Sequence, residues 1–258
     1  GATNTALGGD TLAANTTGGS LVAIGYNALA ANTTASYNIA IGENAMVANT
    51  TGHSNVAIGY LSLDANTTST LNTAVGHNSL SGNTTGAQNT AFGANTLVST
   101  TTQNYNTAVG YGALNANTAA NNVAVGYNAL VLNTTGASNT ALGYSAGDAN
   151  TTGEENVAVG SNALGANTTG DYNVALGENA LGNNTTASYN TAVGRRVLLA
   201  NTTGDHNVGM GYHALHANTI GDRSVAIGSS TLRLQNPASN TDMYNVAVGY
   251  DAGQTVIV

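Results

Sequence analysis

Residues 55–72 read Asn55-Val56-Ala57-Ile58-Gly59-Tyr60-Leu61-Ser62-Leu63-Asp64-Ala65-Asn66-Thr67-Thr68-Ser69-Thr70-Leu71-Asn72, and at Asn72 the pattern starts again as Asn72-Thr73-Ala74-Val75-Gly76. The glycine that closes the first five residues recurs at Gly8, Gly25, Gly42, Gly59, Gly76, Gly93, Gly110, Gly126, Gly143, Gly160, Gly177, Gly194, Gly211, Gly228 and Gly249. The spacing is 17, apart from one step of 16 and a last step of 21. A short, fixed period describes one small unit stacked many times, which is a solenoid. The expectation is a single all-β domain over residues 1–258, a parallel β-roll of about fifteen 17-residue coils, with no helix longer than a turn. Three helical turns do not fit between a glycine and an Asn-Thr-Thr turn in every period.

With the glycine as position zero, Asn stands at −4 in thirteen of fifteen repeats, the exceptions being Leu21 and Ser224. Position −3 is Val, Ile or Thr, position −2 is Ala except at Gly209, and position −1 is aliphatic or Phe92 or Met210. Position +4 is Leu in twelve repeats, and +7 is Asn in twelve, mostly followed by Thr-Thr and then Gly or Ala. The period-two segment before the glycine reads as a strand, and Asn-Thr-Thr-Gly reads as a turn. The branched residues at −3 and −1 are expected to face the coil interior. Leu at +4 and Ala at +6 then read as a second short strand facing the same way. Stacked in register at about 4.8 Å, fifteen coils make a rod of roughly 70 Å. The Asn column at −4 is expected to bond side chain to side chain along the stack. On this phase Ala at −2 and Gly at 0 form a small, apolar outward stripe, expected to be buried against other copies of the chain.

The chain has no Cys and no Lys, with four Arg against twelve acidic residues and a net charge of −8. That balance argues against nucleic acid and anionic membrane surfaces as partners. No segment approaches eighteen consecutive apolar residues, so membrane insertion is not expected. Charged residues make up only 6% of the chain, so solubility rests on Asn, Thr and Ser. Such surfaces suit extracellular, cell-surface or virion proteins. The chain begins and ends within a repeat, at Gly1 and Val258, as expected of a mature product or a piece of a longer polypeptide. The apolar end, Thr255-Val256-Ile257-Val258, reads as a capping strand or as a face on which another subunit stacks. The insertion spanning 234–242, which holds Pro237, is expected to protrude as a loop.

An enzyme needs several different groups converging once, whereas this repeat supplies the same group many times. No nucleophile-base arrangement, phosphate loop or cofactor fingerprint occurs, so neither enzymatic activity nor a cofactor is expected. His206, His213 and His216 lie close in sequence. Without a Cys or carboxylate at ligand spacing they are read as surface histidines rather than a metal site. The twelve Tyr fall at two repeat positions. Seven lie at +1, Tyr26, Tyr60, Tyr111, Tyr127 and Tyr144 among them, and five lie just before the Asn column. Those at +1 are the candidate recognition surface, a shallow and repetitive one. Many weak contacts along it would engage a cell-surface glycan or a protein receptor by multivalency. Ten Asn-Thr-Thr triplets match the glycosylation acceptor rule, including Asn15, Asn32, Asn49, Asn66 and Asn83. The competing reading is that they are turns. Adjacent Thr residues in those turns also raise ice binding, although they lack the Thr-x-Thr spacing that places two columns on one face.

At Asn55-Val56-Ala57-Ile58-Gly59, Asn156-Val157-Ala158-Val159-Gly160 and Ser224-Val225-Ala226-Ile227-Gly228 the chain resembles the head repeats of trimeric autotransporter adhesins. Similar repeats occur in tail-fibre-like proteins of phages and bacteria. The resemblance covers every coil but departs in period, because the turn is longer. It implies a left-handed parallel β-roll, three chains about one axis and attachment to a surface or receptor. The function expected is a non-enzymatic structural or adhesive rod of an extracellular appendage. A subunit of an end-to-end filament and an ice-binding solenoid are the alternatives.

Overall fold

The structure, a computed structural model, describes residues 3–254. The expected capping segment Thr255–Val258 lies outside the described residues. The chain divides into two compact units, Gly1–Val125 and Gly126–Val258. The first holds the three-residue strands β1 (Thr5–Leu7), β2 (Val22–Ile24), β3 (Ile39–Ile41), β4 (Val56–Ile58), β5 (Thr73–Val75), β6 (Thr90–Phe92), β7 (Thr107–Val109) and β8 (Val123–Val125). The second holds β9 (Thr140–Leu142), β10 (Val157–Val159), β11 (Val174–Leu176), β12 (Thr191–Val193), β13 (Val208–Met210), β14 (Val225–Ile227) and β15 (Val246–Val248). Within each unit successive strands pair in parallel and in chain order. Like stands on like: Val56 pairs with Thr73, Ala57 with Ala74 and Ile58 with Val75. The described residues contain no helix. This is the all-β solenoid that the period predicts.

Each strand ends at the repeat glycine for a steric reason. Gly59 has φ +136°, and a Cβ there would stand 2.5 Å from the Gly76 carbonyl oxygen of the next coil. Only glycine allows both that conformation and that approach.

The phase of the strands is the reverse of the one expected. Ala at −2 points inward, and Ala23, Ala40, Ala57, Ala74, Ala91 and Ala108 are fully buried. Val, Ile and Thr at −3 and the aliphatic residues at −1 point outward, half-buried or exposed. The Ala/Gly stripe is therefore no outer surface. A coil of 17 residues encloses one leucine-sized side chain per layer, and Leu at +4 takes that space, as at Leu29, Leu63 and Leu97. Opposite it only Ala fits. Asn at −4 shares the parity of Ala at −2 and is also drawn inside, where it is hydrogen-bonded.

No second strand forms around Leu at +4. That stretch is a run of tight turns: Ala28 N–H bonds the Gly25 carbonyl at 3.3 Å, Ala30 that of Asn27 at 3.2 Å and Asn32 that of Leu29 at 3.1 Å. Asn27 and Leu29, the third residues of the first two turns, have φ +57° and +53°, as type II turns require. The left-handed region costs a leucine about 1–2 kcal/mol. Burying its side chain returns about 1.5–3 kcal/mol, so the column is retained. The alternate N–H groups reach the next coil, Leu29 bonding Ala45 at 3.1 Å and Ala31 bonding Val47 at 3.1 Å. The stack thus stays fully bonded without strand geometry.

Two buried asparagine columns complete the interior. At −4 the expected amide-to-amide bonds are present but long, Nδ2 of Asn55, Asn173 and Asn190 donating to the asparagine one coil earlier at 3.4, 3.2 and 3.3 Å, and the shorter bonds go to the backbone. The Asn38 side-chain oxygen accepts the backbone N–H of Asn55 at 2.8 Å, and its Nδ2 donates to the Gly52 carbonyl at 2.7 Å. A second and tighter amide-to-amide ladder runs at +7. Nδ2 of Asn49, Asn66, Asn167 and Asn184 donates to the asparagine one coil earlier at 3.1, 2.7, 2.8 and 2.9 Å. Where the repeat departs, the replacement still bonds. Thr100 donates to the Asn117 carbonyl at 3.0 Å, and buried Gln235 donates to Ser224 at 2.9 Å. Most of the 234–242 insertion is exposed, and an ion pair of Arg223 with Asp242 ties it back.

At Gly147 the leucine column is interrupted, leaving a void of about 10 Å³ lined by Leu130, Ala141, Ala158, Leu164 and flanking asparagines. Gly147 has φ +60°, close to the φ that the column leucines adopt. A Cβ there would meet Leu130 Cδ2 at 3.0 Å, the far end of a flexible side chain that can rotate away. Gly147→Leu is therefore expected to stabilise the protein by about 1 kcal/mol, since burial outweighs the left-handed cost. Its thermal midpoint, followed by circular dichroism, should rise by roughly 2–4 °C. An unchanged or lower midpoint contradicts this account of the column.

Candidate interaction surfaces

Three kinds of surface leave the coil. The first is the outer face of the strands. It carries two columns, −3 and −1, and among the described strands neither column holds a charged residue. In the inner coils exposure reaches 56% at Phe92, 48% at Leu142 and 40% at Met210. At a strand spacing of ~4.8 Å and ~3.3 Å per residue, the face covers about 400 Å² in the first unit and slightly less in the second. That extent equals the largest apolar patch of a typical soluble monomer, which is often functional, although Thr takes the −3 place in six strands.

The second surface is the pair of tyrosine corners. Tyr26, Tyr60, Tyr111, Tyr127 and Tyr144 at +1 are 44–57% exposed. None fills the interior. Tyr60 stacks on His77 with ring centroids 5.5 Å apart, and Tyr127 stacks on Tyr144 at 5.3 Å. On the other corner Tyr172, Tyr189 and His206 form a ladder with centroids at 5.0 and 4.8 Å. The backbone there is left-handed, with φ +57° at Tyr172 and +61° at Tyr189. Glu155 beside Tyr172 is the main cause that raises its phenol pKa. The rings are thus open at one edge and stacked along the coil axis, the geometry of a shallow aromatic platform.

The third surface is the Asn-Thr-Thr turn, and it offers less than its composition suggests. Asn32, Asn49, Asn66 and Asn83 are fully buried, and Asn15 is half-buried. Their Nδ2 atoms are engaged, Asn32 donating to Asn15 at 3.0 Å and to the Ala35 carbonyl at 3.1 Å. A glycan on that nitrogen would displace both bonds and could not fit inside the coil. These triplets are structural turns, and the glycosylation reading is corrected on that ground. The threonine hydroxyls at +8 are also spent, Thr33 donating to the Thr50 carbonyl at 3.1 Å and Thr168 to that of Thr185 at 3.0 Å.

The histidines separate. His206 belongs to the tyrosine ladder, while His213 and His216 lie together with centroids 4.4 Å apart. Among the described residues no group of three His, Cys, Asp or Glu is placed to hold a metal ion. Burial is the largest cause that lowers the pKa of both His213 and His216. Burial likewise raises the carboxyl pKa of Asp64 and Asp148, which stand at +5 in their coils. No described helix is long and apolar enough to cross a membrane. No protein-family model matches the chain, and no curated protein matches it.

Proposed function

We propose that the chain is a non-enzymatic structural or adhesive element of an extracellular appendage, a surface adhesin or a tail fibre, which works as a self-associated bundle. The observation that carries this is the outer strand face: two columns of branched and aliphatic side chains, uninterrupted by charge. A face left to solvent would be broken by Lys or Glu, because an uncharged sheet surface invites aggregation. The face of each unit supplies about half of the ~800 Å² per partner that a stable interface buries. A second copy of the chain presents a matching surface, and three copies is the number that the resemblance to adhesin heads implies. The tyrosine corners then remain outward as repeated shallow contacts for a glycan or protein receptor. The low charge and the polar Asn/Thr turns agree with an extracellular or virion setting.

The two-column face also favours ice binding more than the turns do, since Thr73, Thr90 and Thr107 share it with Val and Ile. The size spread of the −1 column, from Val75 to Phe92, suits interdigitation with a protein better than a flat lattice. A thermal-hysteresis assay separates the two readings.

Light scattering tests self-association. The native chain is expected at a multiple of 25.5 kDa. Ile41→Lys/Ile58→Lys/Val75→Lys should fall to the monomer mass with its circular dichroism unchanged. A native chain that runs as a monomer removes the proposal. Electron microscopy of native material should show bundles attached to a cell or virion, whereas long free fibres would favour end-to-end stacking.

A further inference from the structure

All four arginines of this acidic chain lie between residues 195 and 233. Two are neutralised, Arg195 by Glu178 at 2.9 Å and Arg223 by Asp242. Arg196 and Arg233 make no ion pair with any described residue, and both are only half-buried. The stacking brings these two together with the paired histidines. Arg196 and His213 hold the same place, two residues past their glycines, one coil apart. The bond from His213 N–H to the Arg195 carbonyl at 3.3 Å fixes that register. His216 and Arg233 hold the place five residues past theirs, also one coil apart, with Ala217 N–H bonded to the Arg233 carbonyl at 3.0 Å. The His213–His216 contact joins the two columns. Four nitrogen-bearing side chains thus meet on one corner of three consecutive coils.

The cluster is not satisfied internally. His213 is 9% exposed and stacks on Tyr212 with centroids 3.8 Å apart. Its Nε2 and the Arg233 Nε are buried with no hydrogen-bond partner. A buried donor left unpaired costs about 1–3 kcal/mol, and a native protein retains it where a ligand completes it. The ligand cannot be a metal cation, because Arg195, Arg196 and Arg233 surround the rings with positive charge and no carboxylate acts on either ring.

We propose that Arg196, His213, His216 and Arg233 form a binding site for an oxyanion, a carboxylate, sulfate or phosphate group, on the second unit. Guanidinium groups present paired N–H donors to such groups, and each imidazole adds one more. Both imidazoles are held below the ordinary histidine pKa, first by burial and then by neighbouring positive groups. A bound anion opposes the second cause and favours the protonated rings. Proton uptake then accompanies binding, so affinity rises as pH falls. The charged and titratable groups that bear on this are His216 on the same coil, Arg195 and Arg196 on the coil before and Arg233 on the coil after. Tyr212 lies against His213, Glu178 is occupied by Arg195, and Ser230 stands between His213 and Asp251 in their column.

The test is a titration of the whole chain with inorganic phosphate and, separately, with glucuronate, followed by NMR of the histidine rings. The expected result is a saturable shift at His213 and His216, absent at His53 and His77. With glucuronate, whose charge is constant over this range, binding should be roughly tenfold tighter near pH 5.5 than near pH 7.5. Saturation by phosphate alone assigns a free inorganic anion, and saturation by glucuronate assigns the acid group of a sugar. Arg196→Gln/Arg233→Gln should weaken binding by at least about tenfold, the loss of two charge-assisted contacts. Arg223→Gln, outside the cluster, should leave it unchanged. The wild-type titration decides by itself if the double variant misfolds. The absence of a saturable shift with either anion overturns the proposal, as does an equal response in a folded double variant.

Discussion

Ala57→Lys should unfold the coils around it, while Ile58→Lys, one residue further on, should leave the fold intact. Ala57 is fully buried between Ala40 and Ala74, whereas Ile58 is 37% exposed. A lysine at 57 would place a charge among the buried Ala40, Leu63 and Ala74 side chains, with no room for its stem. The effective penalty is several kcal/mol, a large part of the ~5–15 kcal/mol that holds a domain folded. At 58 the ammonium lies outside the coil, where separation of the copies opens it to solvent, and a surface change of that kind moves the stability of the single chain by about 0.5 kcal/mol or less. Thermal melting by circular dichroism should show a collapse for the first variant and a near-native curve for the second. The opposite ranking would mean that the strand phase described above is inverted.

A comparable loss is expected at the asparagine ladder. Asn167 Nδ2 donates to Asn150 at 2.8 Å and to the Gly170 carbonyl at 3.0 Å, and its oxygen accepts from Asn184 at 2.9 Å. Asn167→Leu leaves the buried Asn150 oxygen without a partner, at about 1–3 kcal/mol, and takes one bond each from the Gly170 carbonyl, which keeps Asn156, and from the Asn184 amide, which keeps the Ala187 carbonyl. Asn167→Asp gives the same site a pH dependence with a definite sign. Burial raises the carboxyl pKa in the folded chain above its unfolded value. The aspartate variant is therefore most stable in acid, below the unfolded pKa, and loses stability as pH rises towards the folded pKa. Urea unfolding at several pH values reads this directly. A variant that gains stability with rising pH would show that the site is open to water.

The period, the strands, the turns and the absence of helix are legible in the sequence because each is local. Gly59 and Asn66-Thr67-Thr68 recur in register and allow little else. The strand phase is harder to see. Hydrophobicity ranks Val56 and Ile58 above Ala57, yet the coil is too narrow to enclose them beside Leu63. A usable signal lies in the variation among the repeats. The −1 column runs through Ile, Val, Leu, Phe and Met, as an outer face tolerates, while Ala at −2 and Asn at −4 barely change. The left-handed leucines are hidden because that conformation favours Gly and Asn; Gly147 and Gly253 in the same column are the trace they leave. The tyrosine corners are legible as edges, since both positions border turns. The cationic cluster is not, because Arg196, His213, His216 and Arg233 meet only through register between coils.

That register has a consequence for how such a chain can change over time. Every coil offers its neighbour the same carbonyls, the same amide ladder and the same leucine. A recombination event that inserts or removes one whole period within a unit creates no new kind of contact and leaves none unmet. One that removes a fraction of a period is tolerated only where a turn absorbs it, as in the 16- and 21-residue steps, after which the strands pair in register again. Length is therefore free to drift in whole units while the cross-section stays fixed, and a gene of this type can lengthen or shorten its product without redesigning it.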